Sequence, residues 1–596
     1  MRDSLRKLLL LLDRRERRSF AMLVLIMAAE AMLEMASIGI VPLYITAIAY
    51  PDALVSHPWV TTHLSAAGRA WLTHGHLLAW GGLALLSFFV GKTAYSITAA
   101  YCKSRFAQNR AQKLSLRLFA AYLDAPYVYH LQHNTAELLR NIHQDCIQLA
   151  TRVLVPMVEF LSCTLMVVGI TAVLMTFMQL GVLAWLAGFL AFGIGSATLL
   201  QNRVKRLGQE AQNQRADVIQ TVTEGLGGVK EIKLLQRGPQ FVRRLAGGLT
   251  RIFRSQRTVN LIQLAIPSII ESIGVIGLVG VTLMLFAGGS NTHEIVATLS
   301  VFAVALTRLK GAVRGMMDYY TEVRHNASSL EVVYAGLREL AALNQPDDSP
   351  LTALPLRERI ELRALTYTYP GAAEPSLRGI DLTIQRGEAI GFVGTTGAGK
   401  STLLDVLLGI LRPTAGSVLV DGRDIQLARS AWQRHLGYVP QAFFLIDGSI
   451  TDNITLGLGA DEVDGERVAE AAAAAALTPL LAQLPHGLDT RVGERGNRLS
   501  GGERQRIAIA RALYHRPDVL IMDEATSALD NTTESAIIEA VAALKGDRTV
   551  LLVAHRLSTV RRCDRIVFLK NGRVDAVGSF DELQRNHPEF RVMAGA

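Results

Sequence analysis

Six runs in the first half of this 596-residue chain are apolar over about 20 residues or more, the length a helix needs to cross a hydrocarbon core. They lie at Phe20–Ala49, Leu77–Tyr101, Leu154–Phe177, Leu180–Leu200, Leu261–Ala287 and Ile295–Met317. Buried helices of a soluble protein would account for a few such runs, but six in succession imply a membrane domain. The second half is ordinary and charge-rich, so the 50% hydrophobic share of the whole averages two unlike parts.

The net charge is +9. Basic residues gather beside the apolar runs instead of forming one stripe, which points to membrane lipids as neighbours and not to nucleic acid. Arg2, Arg6, Lys7, Arg14, Arg15, Arg17 and Arg18 precede the first run, and Arg105, Arg110, Lys113, Arg117 and Arg140 follow the second. Residues 46–76 hold only Arg69, and residues 288–294 hold no lysine or arginine. The positive-inside rule then gives a multi-pass protein of the inner (plasma) membrane with both termini cytoplasmic. Residues 1–18 read as an amphipathic helix along the inner face, without a small-residue cleavage site. In the first outer connection, Val60, Leu64, Ala67 and Trp71 form one face of an interfacial helix, or else an irregular loop with tryptophans at headgroup level. Cys102, Cys146, Cys163 and Cys563 are scattered without metal-ligand spacing and read as packing residues.

The long inner connections are polar and helix-patterned, so they read as membrane helices continued into the cytoplasm, with short transverse helices near 125–131 and 210–230 meeting a second domain. After a linker at 331–356, strands and helices alternate over 357–596, as in an α/β domain. The fold class is therefore a six-helix membrane domain (19–330) followed by an α/β domain, which the run GTTGAGKS at 394–401 makes an α/β P-loop NTPase domain.

The phosphate chemistry of that domain is explicit. The strand EAIGFVG leads into Gly394-Thr395-Thr396-Gly397-Ala398-Gly399-Lys400-Ser401 and a helix beginning at Thr402. Glycines let the backbone wrap phosphates, a helix N-terminus supplies N–H donors, Lys400 reaches the β and γ phosphates, and Ser401 can ligate Mg²⁺. The apolar strand VLIMDEAT ends in Asp523 and Glu524. Asp523, at the tip of a buried parallel strand, faces the same crevice and can hold Mg²⁺; Glu524 can polarise the attacking water as general base.

Leu499-Ser500-Gly501-Gly502-Glu503 precedes an alanine-rich helix. With the P-loop before it and the acidic strand after it, this run resembles the signature of ATP-binding cassette proteins, in which glutamine commonly stands where this chain has Glu503. The resemblance implies that the Ser500 hydroxyl and the N–H groups of Gly501 and Gly502 meet the γ-phosphate of ATP on an opposing subunit. It also implies that Tyr369 stacks on adenine, Gln441 senses Mg²⁺, Asp530 couples the sites across the interface, and His555 contacts the γ-phosphate. Both sites of a homodimer are then expected to hydrolyse ATP. Six spans ahead of the cassette are similar to exporter-type half-transporters, and argue against an ABC ATPase that transports nothing.

For cargo, the sixth run and HNASSLEVVYAGLREL resemble bacterial flippases of lipid-linked oligosaccharides, which implies a polyprenyl-pyrophosphate glycan moved from inner to outer leaflet. A lipid A-type glycolipid or a drug is the alternative. Lys92 and Arg308 fall at places matching those flippases' cavity cations, with Arg314 and Lys310 nearby; Ser268 replaces an arginine. Charge within a span costs at least a few kcal/mol. Two readings follow: Lys92, Arg308 and Arg314 meet the pyrophosphate, or these cations pair with Glu30, Glu34, Glu159 or Glu271, or Arg314 and Lys310 simply snorkel to the inner surface.

Overall fold

The computed structural model describes residues 2–11, 13–49, 77–177, 195, 214, 217–287, 292–343, 354–459, 461–493, 496–523, 548–554 and 557–594. The fourth apolar run, apart from residue 195, and the outer connection at 50–76 lie outside the described residues. The chain divides into two compact units, residues 1–124 with 133–342 and residues 125–132 with 343–596.

The first unit is helical. It contains α1 (Arg2–Leu11), α2 (Arg14–Ala49) and α3 (Leu77–Leu123). The short α4 (Tyr127–Gln132) belongs to the second unit, after which the chain returns to the first with α5 (Val155–Phe177) and α6 (Val229–Leu234). Helices α7 (Gly238–Ala287), α8 (Thr292–His325) and α9 (Ala327–Leu343) complete it. At 1.5 Å per residue the 47-residue α3 is about 70 Å long, twice a hydrocarbon core of about 30 Å, so it must continue well beyond the bilayer. By length and composition, three described stretches can cross a membrane: Arg14–Val41, Ala79–Leu123 and Glu137–Ala172. The fifth and sixth apolar runs fall inside α7 and α8.

Ile38 of α2, Ile170 and Leu174 of α5, and Ala305, Leu309 and Val313 of α8 pack into one buried cluster. Leu83, Leu86, Val90 and Ile97 of α3 are instead exposed, as side chains that face lipid must be. Two expected boundaries move. Arg14–Arg18 do not extend the amphipathic helix but open α2. Residues 331–343, expected in the linker, continue α9, whose Leu330, Val333 and Leu340 recur at helical spacing and are buried.

The second unit holds two sheets. Strands β1 (Arg359–Tyr367), β2 (Leu377–Gln385), β4 (Ala415–Val420) and β5 (Arg423–Asp424) make an antiparallel sheet in the order β2-β1-β4-β5. The other sheet runs β10-β9-β3-β8-β7-β6. Its strands are β3 (Ala389–Gly394), β6 (Leu436–Val439), β7 (Val519–Asp523), β8 (Thr549–Val553), β9 (Arg565–Lys570) and β10 (Arg573–Gly578). All pairings in it are parallel except that of β10 with β9. Every residue of β3 and β7 is buried, which is why their sequences are continuous apolar runs rather than alternating ones.

Helix α10 (Lys400–Leu407) leaves β3, and the Trp432 indole N–H donates to the Leu407 carbonyl at 2.8 Å, anchoring its C-terminal end in the core. Helix α11 (Ile450–Ile454) and helix α12 (Gly501–Tyr514) pack together beside β6. Val128 of α4 packs against the core cluster that contains Ile425, Leu407 and Trp432.

Candidate functional site

The loop between β3 and α10 combines a buried anchor with an open rim. Gly394 and Ala398 are buried, whereas Thr395, Thr396 and Gly397 are exposed. Gly399 takes φ +98°, and a Cβ there would lie 2.8 Å from the Ser376 carbonyl oxygen, so only glycine fits. No side chain caps α10, which leaves its first N–H groups available to an anion. Lys400 is buried to 7% exposure, and its ammonium donates to the carbonyls of Gly394 at 2.8 Å and Thr395 at 3.2 Å. Its positive charge is thus held inside the loop that would enclose phosphates. Ser401 beside it is exposed.

Tyr369 lies next to this loop: its hydroxyl and that of Thr402 are 3.2 Å apart, and its ring meets Tyr367 edge-on at 4.9 Å. Asp523 ends β7 and is 6% exposed, with α10 packed against that strand. Gln441 follows β6, whose Val439 is in register with Met522, so the glutamine leaves the sheet at the same carboxyl edge as Asp523. Ser401, Asp523 and Gln441 offer hydroxyl, carboxylate and amide oxygens, a hard donor set that fits Mg²⁺. Glu524, Asp530 and His555 lie outside the described residues.

Ser500 caps α12 with a reciprocal pair of bonds: its Oγ accepts from the Glu503 N–H at 3.4 Å, and a Glu503 carboxylate oxygen accepts from the Ser500 N–H at 2.7 Å. Glutamate can make this capping box as well as glutamine, which explains the departure at Glu503. Gly501 and Gly502 form the first turn behind the exposed Ser500.

Two groups near the phosphate loop escaped the motif analysis. Burial, reinforced by the negative charge of Asp523, pushes the Asp405 carboxyl up to about 6. Burial, then Asp523, Asp405 and Tyr127 in turn, raises the Tyr438 phenol well above its usual range. No local pattern marks either residue; the signal in reach was that Asp405 lies one helical turn beyond Ser401 on the same face.

In the first unit, Lys92 and Arg308 both reach Glu34, at 2.7 Å and 2.9 Å. Lys103 pairs with Glu159 at 2.6 Å and lies 3.9 Å from Glu30, which also accepts from the Ser96 hydroxyl at 2.6 Å. Lys310 pairs with Glu271, and Arg314 lies 3.6 Å from Asp318 on its own helix. The geometry therefore contains the carboxylate pairing weighed above: Lys92, Glu34 and Arg308 carry one net positive charge, and Lys103, Glu159 and Glu30 carry one net negative.

Comparison with known proteins agrees with this architecture. The ABC transporter family model matches residues 377–527, and that of the ABC transporter transmembrane region matches residues 53–309. The beta-(1→2)glucan export ATP-binding/permease protein NdvA of Rhizobium johnstonii is 32% identical over 529 residues, 86% of each chain. An ATP-dependent lipid A-core flippase of Xanthomonas campestris pv. campestris is 29% identical over 520 residues, 85% of each. The solved structure of a bacterial Atm1-family ABC exporter with ATP bound superposes with a TM-score of 0.77 at 24% identity, covering 98% of both chains. A membrane domain, a P-loop with its acidic strand and signature helix, and relatives of the same two-part build together make this chain an ABC exporter-type half-transporter, an ATPase whose hydrolysis is coupled to transport.

Proposed function

We propose that two copies of this chain form a homodimeric flippase of the inner membrane that moves an anionic glycan-bearing lipid outward at the expense of ATP. The favoured cargo is a polyprenyl-pyrophosphate-linked oligosaccharide. The observation that carries this reading is the trio Lys92–Glu34–Arg308, which gathers two cations on one carboxylate within the membrane helices. Cations within a span are costly, and a phosphate headgroup would give this pair a second anion. The relatives' names, a glucan exporter and a lipid A-core flippase, support a glycan-bearing cargo and leave a lipid A-type glycolipid as the second reading.

Within each cassette, Tyr369 would stack on adenine, and the backbone from Gly394 to Gly399 with Lys400 would cradle the phosphates. Ser401, Asp523 and Gln441 would hold Mg²⁺, which neutralises developing phosphate charge when bound. Glu524 would activate water, His555 would contact the γ-phosphate, and Asp530 would face the partner cassette. Ser500, Gly501 and Gly502 would engage the nucleotide bound by the partner subunit. A dimer is further supported by α6 and its flanks, where Leu226, Leu234 and Leu235 are 72%, 81% and 65% exposed, an apolar surface that a second copy could cover.

The test is flipping of defined lipid-linked sugars in proteoliposomes, measured beside ATP hydrolysis. Lys92→Ala and Arg308→Ala should slow flipping by about tenfold, roughly the value of one charge-assisted contact, while basal hydrolysis stays within about twofold. Equal losses in both assays would remove the cargo role, and preferential flipping of lipid A-type substrates would select the second reading.

A further inference from the structure

Two arginines of α12 bind the signature helix to the loop that carries Gln441. Arg504 and Arg511 are seven residues apart and so share one face of the helix. They engage consecutive residues. The Arg504 guanidinium lies over the Phe443 ring, 5.9 Å from its centroid, and the Arg511 Nη1 donates to the Phe444 carbonyl at 2.9 Å.

Arg511 also donates from Nε to the Asn453 carbonyl at 2.7 Å and from Nη2 to the Asn453 Oδ1 at 3.2 Å. Asn453 is fully buried and closes the same loop: its Oδ1 accepts from the Ile446 N–H, and its amide donates to the carbonyls of Ile446 and Ser449. Burial lowers the Arg511 pKa, and among the described residues no carboxylate forms an ion pair with it. Holding a half-buried guanidinium on carbonyls alone is a poor way to gain stability. It is an effective way to fix geometry, because the planar fork sets angles as well as distances.

We infer that Arg511, assisted by Arg504, is a positioning residue that holds Ser500 and Gln441 of one chain at a fixed separation and thereby couples the two ATP sites of the dimer. The inference rests on the homodimer proposed above, in which Ser500 serves the partner's nucleotide and Gln441 serves the chain's own. A shift of α12 when Ser500 engages one ATP carries Phe443 and Phe444 with it, and Gln441 is two residues upstream of that pair. The glutamine then reports to one site what the signature has met at the other.

The experiment reads the Hill coefficient of ATP hydrolysis by the full chain in proteoliposomes, with kcat, KM and melting temperature. The parent should show a coefficient approaching about 2, the number of coupled sites. Arg511→Met should bring it to about 1 and lower kcat by about tenfold, with KM and melting temperature nearly unchanged. Arg511→Lys, which keeps the charge but satisfies fewer acceptors, should recover part of the loss, and Arg504→Lys should outperform Arg504→Gln.

A parent coefficient of 1 overturns the inference, as does an Arg511→Met chain as cooperative as the parent. Loss of cooperativity only in step with a lower melting temperature, in both the Met and Lys variants, also overturns it by making the role structural. Glu524→Gln distinguishes the two levels. If that chain stays monomeric with ATP, the homodimer falls and the coupling with it; if it forms an ATP-trapped dimer while Arg511→Met stays cooperative, only the arginine link falls.

Discussion

Asp405 illustrates how a residue outside every motif can be bound to the chemistry. Its carboxyl is pushed up to about 6 by burial and by Asp523, so the folded chain holds a proton more tightly than the unfolded one, whose carboxyl titrates near 3.8. The sign follows: the stability contributed is fully present below 3.8 and lost as pH rises through 6, leaving an uncompensated charge at neutral pH. Asp405→Asn should therefore raise the melting temperature of the nucleotide-free protein at neutral pH, and the gain should shrink as pH falls through that window. A constant difference across the window would place its cause elsewhere. The phosphate loop was legible in the sequence because wrapping an anion demands glycines and a lysine at fixed spacing, and Gly399 has no room for a Cβ. Asp405 was not, because its character comes from a strand far along the chain that packs on α10.

Among the helices of the first unit, Glu34 is a joint. It lies on α2 and receives Lys92 from α3 and Arg308 from α8, so one carboxylate ties three elements together. Removing it leaves two cations facing each other at 11% and 34% side-chain exposure. Glu34→Ala should lower stability in detergent by up to about 3 kcal/mol, the lower end for breaking a buried pair, because the Arg308 side chain is partly exposed. Glu34→Gln, which keeps one acceptor, should lie between, and thermal unfolding in detergent reads both. An unaltered melting temperature for Glu34→Ala would mean that the pairing holds nothing in place. Apolar length located most of the described helices, since crossing a bilayer sets a minimum that sequence displays directly. The ends were less legible: α2 begins at Arg14 and α9 runs through residues 331–343, where charged and polar residues mask a stripe of Leu330, Val333 and Leu340. The pairing at Glu34 was only one of several open to Lys92 and Arg308, because which helix faces which is fixed by packing and not by composition.

At the scale of the whole chain, α4 is the element that belongs to one unit while its flanking helices belong to the other. Transverse residues near 125–131 were legible as a contact because long inner connections must meet something, but not that Val128 would pack on the cassette's own core cluster. Tyr438 packs against the same cluster, so α4 and the strand that leads to Gln441 share one core. A change at the nucleotide site can thus reach α4 through the second unit's own core, without any change in the residues that bind phosphate. Val128→Asp would force a carboxylate against that apolar cluster at a cost of several kcal/mol, enough to undock α4 while the rest of the cassette core keeps its own packing. The full chain should then retain ATP hydrolysis within about threefold yet transport about tenfold less cargo per ATP, since hydrolysis and transport would no longer share a mechanical link. Flipping per nucleotide hydrolysed, measured in one preparation of proteoliposomes, reads that ratio directly. A Val128→Asp chain that loses both activities together would instead make α4 part of the cassette's fold, and one that keeps both would move the coupling to α6.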